Sequence, residues 1–258
     1  MNRLLFPSVA VITALLLGAC SSSGPKASPK TSPTTTTAPV SSTTTSGPPY
    51  APTIVPASFS PVVTNKYFPL KVGTTTIYEG TRDGKPMHTE MTVTNETKTI
   101  MGVKCVVIRD VVTSNGALVE KTTDWYAQKS NGDVWYFGED TKEYVNGVVS
   151  STHGTWEAGV DGAQPGIIMK GDPKPGDSYR QEYRPGQAED MAKIIRTDPS
   201  LTVPGGTFHQ ILVTEDTDPL NPDKIDLKKY APGVGLAYTK RVRTGHHEVG
   251  QYVKTIHG

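Results

Sequence analysis

The residues whose types could bind a ligand are concentrated between positions 124 and 157. This stretch holds all three tryptophans of the chain and six carboxylates, of which Asp124 and Glu139 are the candidates considered first. Its aromatic side chains are Trp125, Tyr126, Trp135, Tyr136, Phe137, Tyr144 and Trp156. Aromatic rings beside paired carboxylates can form a small polar pocket, and carboxylate oxygens are also ligands for hard metal ions.

Two Asn-Gly pairs, at 131–132 and 146–147, predict how these side chains are arranged. Such pairs favour two-residue hairpin loops. The first loop would place Tyr126 opposite Phe137 and Asp124 opposite Glu139, and the second would add Trp156 opposite Phe137 on the same face. A five-residue loop from 129 to 133 would change these partners, because register depends on loop length.

Two directly opposed carboxylates destabilise a sheet unless a cation, a shared proton or an arginine compensates them. We therefore predict a ligand-binding site at Asp124, Tyr126, Glu139 and Trp156, with Asp124 and Glu139 as candidate metal ligands. Two other interpretations stay open. The aromatic ladder could be ordinary core, or the carboxylates could be catalytic, alone or with an Asp140 and His153 pair that the same register predicts on the opposite face.

Few mechanisms other than these are compatible with the sequence. It contains no GxGxxG, GxxxxGK[ST], HExxH or GxSxG motif, so no cofactor is evident beyond a metal ion. Two cysteines cannot form a Cys-x-x-Cys zinc site. Cys105 lies in the apolar run Val103–Val107 and is expected to be a buried small hydrophobe. We predict no catalytic residue and regard an enzyme as the less favoured reading.

The first twenty residues have the features of an export signal. Arg3 is followed by a mostly apolar run, Leu4–Leu17, which is long enough for a signal peptide and too short to span a bilayer. The run ends in Leu-Gly-Ala-Cys, which resembles the lipobox of bacterial lipoproteins. That resemblance implies cleavage before Cys20 and attachment of a lipid anchor to its side chain.

Composition divides the rest of the chain into a tether and a folded domain. Residues 21–49 contain 8 Ser, 8 Thr and 6 Pro, and no aromatic residue, so they cannot bury enough apolar area to fold. The expected organisation is a signal peptide over 1–19, a lipidated cysteine and disordered tether over 20–59, and one β-rich domain over 60–258. The chain carries 26 Lys and Arg against 25 Asp and Glu. Near neutrality excludes a nucleic-acid partner and leaves the lipid anchor as the membrane contact.

The domain has the turn chemistry of an antiparallel meander. Asp83-Gly84 and Asn115-Gly116 join the two Asn-Gly pairs above as hairpin signals, and strand-like segments run from Thr74–Glu79 to Glu248–Ile256. The expected fold is mainly β, a curved sheet or barrel-like body. One short helix is predicted over Gln187–Arg196, where Ala188, Met191, Ala192 and Ile195 follow helical spacing.

Long strings of the domain resemble a family of uncharacterised secreted bacterial lipoproteins. The strings are NKYFPLKVGTTTIYEG, TTDWYAQKSNGDVWYFGEDTKEY, GTWEAGVDGAQPGIIM, GDSYRQEYRPGQAEDMA and KKYAPGVGLA. The resemblance implies an envelope protein with a β-rich body. It implies no activity, substrate or catalytic residue.

The sequence thus favours a lipid-anchored protein on the extracytoplasmic side of the cell membrane. Its β-domain would bind a small or apolar ligand, such as a lipid, or a partner. The alternatives are a carboxylate- or metal-dependent envelope enzyme and a purely structural or interaction module. Nothing in the sequence indicates an oligomeric state.

Overall fold

The computed structural model describes residues 3–4, 9–10, 50–243 and 246–258, with the backbone alone at 3–4, 9–10, 243 and 246. Cys20, the predicted signal peptide and the Ser/Thr/Pro segment up to residue 49 lie outside these ranges, apart from the two short backbone pieces. The elements are β1 (Arg3–Leu4), β2 (Val9–Ala10), a 3-10 helix (Pro56–Ser58), β3 (Phe59–Ser60), β4 (Val63–Asn65), β5 (Phe68–Leu70), β6 (Thr74–Arg82), β7 (Lys85–Ile100), β8 (Val103–Ser114), β9 (Ala117–Lys129), β10 (Val134–Val145), β11 (Val148–Ser151), β12 (Trp156–Glu157), β13 (Gln164–Met169), β14 (Ser178–Arg180), β15 (Glu182–Tyr183), β16 (Met191–Val203), β17 (Gly206–Asp218), β18 (Asn221–Ala231), β19 (Gly235–Arg243) and β20 (His246–His257).

One antiparallel sheet of sixteen strands dominates the described part of the chain and is nearly closed as a barrel. Its main path runs β14-β16-β17-β18-β19-β20-β6-β7-β8-β9-β10-β13-β15, and β3, β11 and β12 pair beside it. The two end strands, β14 and β15, are separated in the chain by Gln181 alone, so the two edges of the sheet meet there. The expectation of a mainly β, barrel-like body is confirmed.

The hairpin signals explain most of the connections. Asp83, Asn115 and Asn146 have φ near +50° and are each followed by a glycine of positive φ, as the two-residue loop requires. A fourth hairpin of this kind, at Met101-Gly102, has no such signal in its first residue. The loop at Asn131-Gly132 is longer than two residues, because the Lys129 amide donates to the Asp133 carbonyl and β10 begins only at Val134.

The predicted helix over Gln187–Arg196 is wrong. Ala188 closes a short turn with Arg184, and the chain then enters β16, which pairs with β17 from Met191 to Val203. Burial alternates along it, with Ala192 and Ile194 inside, which is the period of a strand. A bulge between Ile194 and Arg196 doubles the apolar residues at that point and imitates helical spacing.

Residues near positions 50–60, which precede the long strands of the main sheet, also pack against the sheet. The Tyr50 hydroxyl donates to the Pro165 carbonyl, and its ring meets that of Tyr183 edge-on at 5.4 Å. Phe59 packs edge-on against Trp135 and Phe137 on the outer face of the sheet. Within the residues that the structure describes, no helix is long and apolar enough to cross a membrane.

Candidate functional site

The interior face of three neighbouring strands, β8, β9 and β10, carries a dense group of carboxylates. Its members are Asp110, Glu120, Asp124, Glu139 and Glu143, all buried, and they are called the acid wall here. Register places Glu139 opposite Asp124 and Glu143 opposite Glu120. Because side chains alternate across a strand, the intervening residues face outward.

None of the cations of these three strands is buried in the interior, and all except Lys104 alternate onto the outer face. Lys104, Arg109 and Lys121 are exposed, and Lys129 and Lys142 are half-buried. Within the described residues, the fully buried cations are Lys224, Lys228 and Arg241, which belong to other strands. The strands of the acid wall therefore supply no buried positive charge of their own.

Hydroxyl groups from the same strands reach the carboxylates instead. The Tyr136 hydroxyl donates to Asp124 Oδ1 at 2.5 Å, and the Thr141 hydroxyl donates to Glu139 Oε2 at 2.7 Å. Thr122 lies 3.2 Å from Thr141, oxygen to oxygen. Hydrogen bonds to ionised groups are stronger than neutral ones, so these hydroxyls offset part of the cost of burying charge.

Asp110 differs from the rest of the acid wall. No described group donates a hydrogen bond to Oδ1 or Oδ2 of Asp110, although its side chain is almost fully buried. Burial, followed by the charge of Asp124, raises the pKa of Asp110 well above the ordinary value. The raised pKa favours a proton on Asp110, which is one of the compensations expected for paired carboxylates.

The structure confirms the predicted opposition of Asp124 and Glu139, but by a different route. The longer loop shifts the register by one residue, so Tyr126 lies opposite Tyr136, and the predicted pairing of Tyr126 with Phe137 is wrong. A bulge at Phe137 and Gly138 then restores the predicted alignment beyond it. Tyr126 and Tyr136 stack at 4.7 Å between ring centroids, and Phe137 faces outward toward Phe59.

Trp156 is also displaced from its predicted partner. It lies opposite Glu139 rather than Phe137. An irregular segment separates β11 from β12, so the loop length at Asn146-Gly147 does not determine the partner of Trp156. Its ring meets Tyr136 edge-on at 5.3 Å and its indole N–H donates to Glu182 Oε2 at 2.8 Å. The predicted opposition of Asp140 and His153 does not form either, because Thr155 bonds to the Thr141 amide at this level.

A second feature, missed by the sequence reasoning, is an apolar recess at one mouth of the barrel. It is named the mouth recess and is lined by Phe68, Pro69, Leu70, Tyr78, Met91, Tyr126, Ile168, Lys228, Tyr230, Val234, Gly235 and Leu236. Its volume is about 510 Å³ when the solvent-open part is counted. Only about 30 Å³ of this can be occupied by the centre of a water molecule. The smaller value describes the closed pocket, which has space for about two water molecules. A larger ligand must therefore displace side chains at the mouth.

The four predicted ligand residues are divided between two recesses. Tyr126 lines the mouth recess, whereas Glu139 and Trp156 line a more open side recess, which also measures about 510 Å³ when its solvent-open part is counted. Asp124 lines neither, but it binds the hydroxyl of Tyr136, the ring stacked on Tyr126. Four of the eight residues that line the side recess are charged, so the mouth recess is the better site for an apolar molecule.

The other half of the barrel buries its charges as ion pairs. Lys228 Nζ lies 2.7 Å from Asp216, Arg241 Nε lies 3.1 Å from Asp226, and Lys224 Nζ lies 3.3 Å from Asp190. Arg241 Nη1 is 3.9 Å from Glu248, which also binds Arg82. These residues are named the ion-pair wall. β18 contributes three of them, because Lys224, Asp226 and Lys228 alternate inward.

Two sequence expectations about metals and thiols can be compared with the structure. Within the ranges described, no group of three or more His, Cys, Asp or Glu side chains has an arrangement that could hold a metal ion. Cys105 is free and fully buried, as the apolar run predicts. Burial raises the pKa of its thiol to about 12, so it remains protonated and unreactive at neutral pH.

No family model matches this chain, and no curated protein matches its sequence. No comparison therefore supports the family resemblance carried by the sequence strings. Two solved structures are similar to parts of it. One bears the name of an exported protein with a YmcC-like fold from Bacteroides fragilis, with 12% identity, 74% of this chain and 99% of that chain covered, and a TM-score of 0.44. The other bears the name of a lipoprotein from Parabacteroides distasonis, with 16% identity, 74% and 99% coverage, and a TM-score of 0.41. Neither likeness carries an argument about what this chain does.

Proposed function

We propose that this chain is a lipid-anchored envelope protein whose barrel-like domain binds a small apolar molecule in the mouth recess. The single observation that carries the proposal is the recess itself. Aliphatic and aromatic side chains from β5, β6, β7, β9, β13, β18 and β19 converge on it. Barrels wider than the smallest ones enclose ligand cavities of this kind, and ligand sites are mostly apolar with a few polar groups.

The polar groups of the recess are three tyrosines and one lysine. Burial raises the pKa of Tyr78, Tyr126 and Tyr230, so their hydroxyls stay neutral and can donate or accept hydrogen bonds. Lys228 is held by Asp216. This combination supports the orientation of an apolar molecule that carries one polar end.

A fluorescent apolar probe, phenylnaphthylamine, tests the recess in the full chain. We expect saturable binding by the parent and at least about tenfold weaker binding by Leu236→Trp, because the larger ring fills the pocket. Leu220→Trp is the matched control, since Leu220 is 46% exposed and lies outside the recess. Leu236→Ala, which enlarges the pocket, replaces the first variant if that variant does not fold. Binding that is equal in parent, Leu236→Trp and Leu236→Ala would exclude the mouth recess as the site.

The membrane location depends on Cys20. Stable anchoring requires more than one acyl chain, which the lipoprotein class supplies at this cysteine. Cys20→Ser should move the protein from the membrane fraction to the soluble fraction after cell lysis, because the near-neutral chain offers no electrostatic substitute. Quantitative sedimentation of the variant with membranes would show another anchor.

A further inference from the structure

The acid wall and the mouth recess are adjacent. Met91, which lines the recess, lies directly opposite Asp110 in the ladder between β7 and β8. Directly opposed residues of an antiparallel pair have Cβ atoms about 5 Å apart. Two other lining residues, Tyr78 and Tyr126, have their pKa raised by burial first and also by the charge of Asp110. The Asp110 carboxyl group is not part of the lining itself but lies beside it, next to Met91, where a ligand that displaces side chains of the recess would reach it.

We propose that the mouth recess selects an amphiphile with a cationic head, such as a long-chain aliphatic amine, and holds its ammonium group at Asp110. This inference rests on the proposed function, because it names the class of ligand for the same recess. The apolar lining holds the chain of the amphiphile. The two Asp110 oxygens, which receive no hydrogen bond from a described donor, supply the acceptors that an ammonium group needs.

The distribution of charge argues against a ligand with an anionic head group. A carboxylate head at that position would lie next to Asp110 and Asp124, whose mutual repulsion already favours a proton on Asp110. Lys228 cannot take the role of an anion receptor without losing Asp216, which lies 2.7 Å from its ammonium group. Five buried carboxylates on β8, β9 and β10, with none of the cations of those strands buried, favour a positive ligand in the same way.

An amphiphile with a neutral head would leave the charge at Asp110 unchanged. An alcohol can donate one hydrogen bond to Asp110, but it brings no charge to balance the wall. An ammonium group replaces the proton that the raised pKa of Asp110 favours on this carboxyl group, and that proton leaves to solvent. Its hydrogen bonds are charge-assisted on both sides, and these are roughly twice as strong as neutral ones.

The test is a competition on the full chain carrying Cys20→Ser, so that no acyl chain attached at residue 20 competes for the recess. Phenylnaphthylamine is displaced by dodecylamine, dodecanol or dodecanoate, three competitors with the same chain and different heads. We expect dodecylamine to displace the probe at a concentration about tenfold lower than dodecanol does, with dodecanoate the weakest. Asp110→Asn should remove the advantage of the amine and leave dodecanol unchanged.

Asp140→Asn is the matched control, because Asp140 lies on β10, another strand of the acid wall, but its side chain is 44% exposed. It should retain the preference for the amine. If Asp110→Asn does not fold, the order of the three competitors on the parent still decides the inference. Equal displacement by all three, or stronger displacement by dodecanoate, would overturn the cationic head and leave the apolar recess in place. A parent that binds neither probe nor competitor would overturn the proposed function itself.

Discussion

On the ion-pair wall, each buried cation lies against a carboxylate, at 2.7 Å for Lys228 and Asp216 and at 3.1 Å for Arg241 and Asp226. On the acid wall, hydroxyl groups take the place of those cations, and burial beside Asp124 raises the pKa of Asp110. The difference follows from which residues alternate inward. β18 turns its lysines into the barrel, whereas β8 and β9 turn Arg109 and Lys121 outward and keep their acids inside.

The comparison teaches that the two halves of the interior are suited to different tasks. Paired charges that satisfy one another are costly to disturb, so the ion-pair wall is expected to be a fixed part of the scaffold. A carboxyl pair that holds a proton can exchange it for another positive group. The acid wall is therefore the half of the interior that can respond to a ligand.

The largest effect is expected from breaking the ion-pair wall. Arg241→Met leaves Asp226 buried without its guanidinium partner, whereas Glu248 keeps Arg82, and the loss at Asp226 should lower the free energy of unfolding by about 3–5 kcal/mol. Arg109→Met, which breaks an exposed pair with Glu96, is the control and should cost less than about 1 kcal/mol. Urea unfolding of both variants measures the difference. Equal losses would mean that burial does not distinguish the two pairs.

A smaller effect is expected at the bulge that aligns the acid wall. Gly138 has φ of +136°, and a Cβ there would collide with the Trp156 carbonyl oxygen and lie 2.9 Å from Glu157 Cα. Gly138→Ala should therefore cost about 3 kcal/mol. Gly116→Ala, at a hairpin glycine with open space around it, should cost about 1 kcal/mol. Thermal and urea unfolding that rank the two variants in the reverse order would contradict the bulge.

Asp110→Asn should stabilise the empty protein at neutral pH by about 1 kcal/mol, because the new amide can donate to Asp124. The pH dependence gives the sign. The pKa of Asp110 in the folded protein lies above its ordinary value of 3.8. The stability that this group contributes to the folded protein is therefore complete below pH 3.8 and is lost as the pH rises toward the folded-state pKa. The advantage of the variant should shrink as pH falls toward 3.8. An advantage that is independent of pH would contradict the raised pKa of Asp110.

The smallest effect is expected from Glu139→Gln. The Thr141 hydroxyl can still donate to the amide oxygen, but this hydrogen bond loses its charge assistance. Repulsion from Asp124 falls at the same time, so the loss and the gain nearly cancel, within about 1 kcal/mol. Melting temperatures of parent and variant are compared with chelator and with added Ca²⁺, Zn²⁺ or Cu²⁺. Stabilisation of the parent alone by a metal would show that a cation, and not a proton, balances this wall.

Turn chemistry explains how much of this fold the sequence predicts. Asp83-Gly84, Asn115-Gly116 and Asn146-Gly147 set three hairpins correctly, since a two-residue loop needs positive φ at both positions. The segment over 187–196 was harder, because the bulge at Ile194 and Arg196 gave a strand an apparent helical period. A glycine inside an aromatic run, Gly138, was the available signal for the bulge beside the site.

The site itself was predicted in part. The predicted opposition of Asp124 and Glu139 was correct because two one-residue errors in the predicted register, one at the loop and one at the bulge, cancelled. Asp110 could have been found from the alternation Val106, Ile108, Asp110 and Val112, which places an acid on a buried face. The mouth recess could not, because its lining comes from segments far apart in the chain, and hairpin rules do not determine how those segments meet.

The central claim is that the barrel encloses a site for an apolar molecule between its two walls. Native mass spectrometry of the full chain, released from its own membrane, tests it most directly. The account predicts one small apolar molecule bound to the parent and to Leu220→Trp, and none bound to Leu236→Trp. A parent that carries no such molecule, or a Leu236→Trp variant that carries the same one, would contradict it.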